Sequence, residues 1–168
     1  MSPRWNRAAA VLAALCLGNT EEDPVDRVVS ALQQGLQSHA AQHRAAAVLA
    51  ATGAQPLEGT RNLQAAWARR GAAVFRNRAL GPAYRLIELG GGEEVHFEQT
   101  FLAGQRAHVA ISEPGSGQFS LVIIDEGGQP QCATTGRDCS WMPLWTARFR
   151  ITVHNQSGQR GRSFLVLQ

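Results

Sequence analysis

Residues 119–125, FSLVIID, and 147–155, ARFRITVHN, carry the period that governs the architecture. In the first, Phe119, Leu121 and Ile123 alternate with Ser120, Val122 and Ile124; in the second, Phe149, Ile151 and Val153 alternate with Arg148, Arg150 and Thr152. Successive side chains of a strand point to opposite faces, so a period of two marks an antiparallel strand covered on one side. The same period places strands near Tyr84–Leu89, Glu94–Leu102, Ala107–Ser112 and Ser163–Leu167. Turn clusters separate them: Gly90-Gly91-Gly92, Ala103-Gly104-Gln105, Glu113-Pro114-Gly115-Ser116-Gly117, Glu126-Gly127-Gly128 and Ser157-Gly158-Gln159. Short strands joined by Gly-rich turns predict a β-sandwich or jelly roll.

Upstream of Gly81-Pro82 the period is helical. Asp23 suits a helix cap and Pro24 the first helical position. Val25, Val28, Val29, Leu32, Leu36, Ala46, Ala47 and Ala50 fall on one face at about 100° per residue, which predicts an amphipathic helix from Asp23 to Thr52. Gly35 interrupts it at a cost of about 1 kcal/mol relative to Ala. Thr52-Gly53 ends it, and 55–59 reads as a connector. A second helix is expected from Thr60 to Asn77, with Leu63, Ala66, Trp67, Val74 and Phe75 on its apolar face. The fold class is therefore α+β: an N-terminal helical pair in 19–80, then an antiparallel β-sandwich or jelly-roll-like domain in 81–168.

With 168 residues, 44% of them hydrophobic and 17% charged, the chain is long enough to bury its own core, and its composition excludes collagen-like and disordered classes. Arg4 and Arg7, then the apolar run Ala8–Leu17, then Gly18, have the order of a secretory signal peptide over 1–18. That run is shorter than the 20 or so residues a membrane span needs, so no span is expected in the mature chain. All 16 basic residues are Arg; without Arg4 and Arg7, 14 remain against 13 acids, a net of +1. Global charge gives no case for nucleic-acid binding. Beyond Cys16, Cys132 and Cys139 remain as an even pair, and an oxidising compartment favours their closing a short loop. Such a closure is worth roughly 2 to 2.5 kcal/mol in the chain-entropy model. Two free thiols or half a metal site are the competing readings; no C-x-x-C spacing supports the latter. A secreted or periplasmic protein is expected.

Four stretches, FLAGQRAHVAI, FSLVIIDEGGQ, TARFRITVHN and SFLVLQ, match in order and spacing the bacterial pre-peptidase C-terminal domain family. The chain from about Glu94 to Gln168 thus resembles these small β-sandwiches of exported proteins, departing from their Gly-Tyr at Arg148-Phe149. The resemblance implies a non-catalytic accessory or binding module. Relatives attached to collagenases bind calcium; no acidic cluster upstream of Glu94 matches such a site, so no cofactor is expected and calcium stays an open question.

The candidate binding residues are Trp141 and Trp145, which flank Met142-Pro143-Leu144 just beyond the Cys132–Cys139 loop. Aromatics on a braced loop suit a sugar ring or a partner's apolar side chain; the alternative is that one or both plug the core. His39 and His43, at i and i+4, can reach one metal ion from a helix, but they also lie on the apolar stripe. Arg61, Arg69, Arg70, Arg76, Arg78 and Arg85 form an acid-free stretch suited to an anionic glycan or headgroup, or to compensation by Glu88, Glu93, Glu94 and Glu98. Asp125, Glu126 and Asp138 offer loop oxygens without a calcium-loop spacing. Asn155-Gln156-Ser157 is a sequon read as a turn, and Ser116 lies in a turn cluster outside any nucleophile elbow. His96, His108 and His154 fall in strands with no partner that sequence can place.

The leading expectation is a binding or structural module, not an enzyme, with a protein or glycan of the cell envelope as partner. The alternatives are a metal-dependent hydrolase using His39 and His43, and an envelope protein assembling through Leu32 and Leu36.

Overall fold

The computed structural model describes residues 22–68, 81–112, 118–132 and 136–168. The expected signal segment lies outside these residues, as do Arg69, Arg70, Arg76, Arg78 and Ser116. In chain order the elements are α1 (Pro24–Gly35), α2 (His39–Thr52), β1 (Gln55–Pro56), α3 (Leu63–Trp67), β2 (Ala83–Leu89), β3 (Glu94–Phe101), β4 (Ala107–Ile111), β5 (Phe119–Ile124), β6 (Asp138–Trp141), β7 (Ala147–Asn155) and β8 (Gly161–Leu167). Among the described residues no helix is long and apolar enough to cross a membrane.

The fold is α+β, in three layers. A five-stranded sheet, ordered β1-β2-β8-β4-β6, packs on a three-stranded sheet, ordered β3-β7-β5. Ile87, Val109, Ile111, Leu121, Ile123, Phe149, Ile151 and Leu165 form the dry core between them. The helices cover the opposite face of the larger sheet, where Val25, Val28, Leu32, Ala45, Leu49 and Trp67 pack on Tyr84, Ala110, Phe164 and Val166. Register explains the division: Tyr84, Val166 and Ala110 lie in one cross-strand row facing the helices, while Leu165 and Ile111 in the next row face the sandwich interior. Central strands are consequently covered on both sides, and β4 is buried throughout. In the smaller sheet the expected alternation holds, with Phe119, Leu121, Ile123, Phe149, Ile151 and Val153 all buried.

The single helix expected over 23–52 is two helices. Asp23 does cap the first, its carboxylate accepting the Val25 N–H at 2.9 Å, with Pro24 at the first position. The chain leaves the helix after Gly35 and starts again at Ser38, whose Oγ accepts the Ala41 N–H at 3.2 Å. At the end of α1 a Cβ on Gly35 would stand 2.5 Å from Cζ3 of Trp67, so the close approach of the indole favours glycine there. The turn between the helices also shifts the apolar stripe. α2 buries Ala41, Ala45, Ala46 and Leu49, and leaves Ala47 exposed. It closes at Gly53, whose φ of 67° is the left-handed geometry of a helix C-terminus.

The helix expected over 60–77 is limited, among the described residues, to Leu63–Trp67, because the backbone turns extended at Ala68. The connector at 55–59 holds β1, which pairs parallel with β2 and so ties the helical segment into the sheet. The strand Asp138–Trp141 was not expected; DCSW buries only Cys139 fully, too little to show a period.

Candidate functional site

Two loops meet at one end of the sandwich. The Gly104 N–H donates to the Pro143 carbonyl at 2.9 Å, and the Ala103 N–H donates to Thr146 Oγ1 at 3.1 Å, joining the turn after β3 to the loop between β6 and β7. Gly104, at φ 69°, supplies the left-handed residue this turn requires. Leu102, Met142, Leu144 and Trp145 stand on these joined loops with 50%, 62%, 84% and 69% of their surface exposed. The only other large exposed apolar residue described is Leu86, at 38%. Scattered apolar exposure is normal, but four such side chains on two bonded loops make a patch. A groove of about 330 Å³ adjoins it, lined by Leu102, Phe101, Gln105, Arg106 and Gln168 among others.

The structure separates the two expected tryptophans. Trp145 is at the surface, whereas Trp141 is half-buried and packs edge-on against Phe101 at 4.9 Å and Phe149 at 5.3 Å. Trp141 therefore serves as the foundation on which the exposed loop stands. Leu102 and Met142, which the sequence reading did not put among the candidate binding residues, join the surface because each directly follows a buried or half-buried aromatic, Phe101 or Trp141. The Cys132–Cys139 disulfide is formed, with Cα atoms 5.9 Å apart, and Cys139 lies in the strand that feeds the loop.

A second cluster lies where α1 meets the larger sheet. His108, on the helix-facing side of β4, is 4% exposed. Its Nε2 bonds Asp138 Oδ2 at 2.6 Å, and its Nδ1 lies 3.0 Å from Asp23 Oδ1. That second approach is an ion pair without hydrogen-bond alignment, and Nδ1 is otherwise without a partner. Burial alone would lower the imidazole pKa; the bonds and charges of Asp138 and Asp23 outweigh it and raise the value. Burial would raise the Asp23 pKa, but the Val25 amide, His108 and Arg106 bring it below its ordinary value. Asp26 is raised, by burial first and then by the neighbouring carboxylates, against the pull of His108. Sequence reading found Asp23 as a cap and His108 as a strand residue; their contact spans the layers and leaves no local signal.

The remaining candidates have ordinary surroundings. His39 Nδ1 meets Gln42 Oε1 at 3.1 Å on an exposed face, and His43 Nδ1 meets the Trp67 carbonyl at 2.8 Å. Neither belongs to a group of three metal-ligating side chains among the described residues. Leu32 is fully buried and Leu36 half-buried against the sheet, so the helical stripe is already covered within the chain. Arg61 is exposed, while the Arg85 guanidinium stacks 5.0 Å over Phe97. Asp125 accepts the Gln129 N–H and a Gln131 amide, Glu126 accepts the Arg148 N–H, and Asp138 holds His108, so these three acids serve separate contacts. Asn155 is fully buried: its amide donates to the Leu89, Gly90 and Gln159 carbonyls, which makes it the pin of the turn that was expected. His96 lies between Thr152 at 3.0 Å and Glu94 at 3.3 Å on the open face of the smaller sheet.

No protein-family model matches the chain, and no curated protein matches it. Among solved structures, it is similar to PliG, a periplasmic inhibitor of g-type lysozyme, from Aeromonas hydrophila, at 19% identity over 68% of this chain and 96% of the other, with a TM-score of 0.41. The PliG proteins of Escherichia coli and Salmonella Typhimurium align at 13% and 12% identity, over 68% and 52% of this chain and 96% and 86% of theirs, each with a TM-score of 0.40.

Proposed function

We propose that this chain is an exported, non-catalytic recognition module that docks a partner protein on the tip formed by Leu102, Met142, Leu144 and Trp145. The observation that carries the reading is the gathering of these exposed side chains on two loops hydrogen-bonded to each other. Loops braced by backbone contacts, by the Trp141–Phe101–Phe149 cluster and by a disulfide lose little freedom on binding, which favours affinity. The chemistry favours protein over glycan. Two leucines and a methionine beside an indole suit an apolar side chain from a partner, and aromatic residues and Met are enriched in interface cores. A sugar site needs polar side chains flanking the ring, and at the tip itself Leu102, Met142 and Leu144 surround the indole, the polar Gln105 and Arg106 lying in the adjoining groove.

Export is supported by the order of Arg4, Arg7 and the run Ala8–Leu17, and by the closed disulfide, which belongs to oxidising compartments. The resemblance to pre-peptidase C-terminal domains implies the same accessory role.

The test is capture from the native envelope with the oxidised protein, in parallel with a Leu144→Asp/Trp145→Asp variant and a Leu86→Asp control. Proteins held by the wild type and the control but released by the tip variant, at unchanged Tm, support the proposal. Capture that the tip variant retains in full overturns it. Capture that resists protease but not carbohydrate oxidation replaces the protein partner by a glycan.

A further inference from the structure

The geometry points to a binding site for a divalent transition-metal ion of zinc's type, formed by Asp23, Asp26 and His108. Each offers a ligand atom, and these atoms lie within 4.8 Å of one another. Asp23 caps α1 and Asp26 follows three residues later, so both carboxylates lie on the helix face turned toward β4. His108 enters from the sheet. Its Nδ1 is buried, lacks a hydrogen bond, and lies 3.0 Å from Asp23 Oδ1. Two ligands that share a zinc ion at about 2.0–2.1 Å are themselves about 3 to 3.4 Å apart, so this spacing accommodates an ion bound to both.

The surroundings match a metal site in two further respects. The opposite ring nitrogen, Nε2, is fixed by Asp138 at 2.6 Å, the carboxylate–imidazole contact that orients metal-bound histidines and raises their basicity. Four carboxylates, those of Glu22, Asp23, Asp26 and Asp138, also act on this cluster, together with His108 and Arg106. Arg106 approaches Asp23 Oδ2 at 3.5 Å, which leaves Oδ1 as the inward oxygen; Oδ1 also caps Val25, and a carboxylate oxygen has a lone pair for each task. One nitrogen among three donors disfavours calcium, which takes six to eight oxygens, and favours zinc or a similar ion. The ion would take Nδ1 in its unprotonated form, so a proton held there leaves to solvent as the metal–nitrogen bond forms.

Metal-stripped, disulfide-intact protein is titrated with zinc chloride by calorimetry in two buffers of different ionisation enthalpy. The expected result is one ion per chain, with proton release and a rise in Tm. Asp26→Asn, on the half-exposed first turn, should weaken zinc at least about 10-fold without lowering the metal-free Tm, since it removes one of several neighbouring carboxylates. Asp138→Asn should weaken it about 10- to 100-fold, the usual effect of losing an outer partner. A His39→Gln/His43→Gln variant should bind as the wild type does. Affinity no tighter than millimolar, binding that survives Asp26→Asn, or binding lost with His39 and His43, would each overturn the assignment.

Discussion

The two faces of the five-stranded sheet are both covered, yet they are built differently. Toward the smaller sheet, Ile87, Leu89, Val109, Ile111, Leu165 and Leu167 meet other apolar side chains in one continuous core. Toward the helices, Ala110, Phe164 and Val166 share the face with His108 and with Tyr84, whose hydroxyl oxygen accepts the Leu63 N–H at 2.9 Å. Apolar burial is non-directional and scales with area, so the first face supplies cohesion. Buried polar groups are costly unless paired, so the second face fixes where each helix sits: α1 at Asp23–His108 and α3 at Leu63–Tyr84.

The largest effect is expected on the dry face. Leu165 is fully buried between the sheets. Truncation to Ala there should cost about 2 to 5 kcal/mol, a large part of the 5 to 15 kcal/mol typical of a whole domain. Urea unfolding monitored by tryptophan fluorescence measures it. A loss under about 1 kcal/mol would mean that the sheets close on the cavity and that the core is less tightly specified than its burial implies.

A smaller effect, on the helix-facing side, separates cap from charge. In metal-free protein Asp23→Asn keeps a good capping side chain and removes the ion pairs with His108 and Arg106; Asp23→Ala removes both. The Ala variant should be less stable than the Asn variant by about 1 kcal/mol. Hydrogen exchange should show the loss in the first turn of α1, with the Ile151 amide unaffected. Equal destabilisation of the two variants would assign the whole role of Asp23 to its charge.

The contrast between the faces also explains what sequence could show. Strands β3 and β7 have one open side, so polarity records their burial, and the ranges expected for β3, β5 and β7 agree with the structure within a residue. β4 and β8 are covered twice and lose that record, though turn residues still placed them. The contact between Gly35 and Trp67 spans thirty-two positions, and no helical period can reveal it. The same limit applies to the sites. For Trp141 and Trp145 the sequence left exposure and core packing both open, because an aromatic near a loop suits either; the structure exposes only Trp145. The Asp23–His108–Asp138 contact was not legible, since three separate elements bring those residues together.

The smallest effect sharpens the comparison through pH. The chain has no Lys and a single Tyr, so with Cys132 and Cys139 bonded, Tyr84 is the one side chain beyond residue 22 that titrates in the alkaline range below arginine. Burial raises its pKa above the ordinary 10.0, and the backbone amides of Leu63 and Gln64 offset only part of that shift. Below pH 10 the phenol is neutral in both folded and unfolded chains, and stability does not depend on it. As pH climbs past 10 the unfolded chain ionises first, so stability falls until the folded phenol ionises too. Urea midpoints recorded between pH 8 and 11.5 should therefore begin to fall before the tyrosinate absorbance of the folded wild type rises. Tyr84→Phe should cost about 1 kcal/mol at neutral pH, through the bond lost to Leu63, and should flatten the alkaline limb. An alkaline limb that persists in that variant would take the pH sensitivity away from Tyr84 and turn attention to His108, the raised imidazole on the same side.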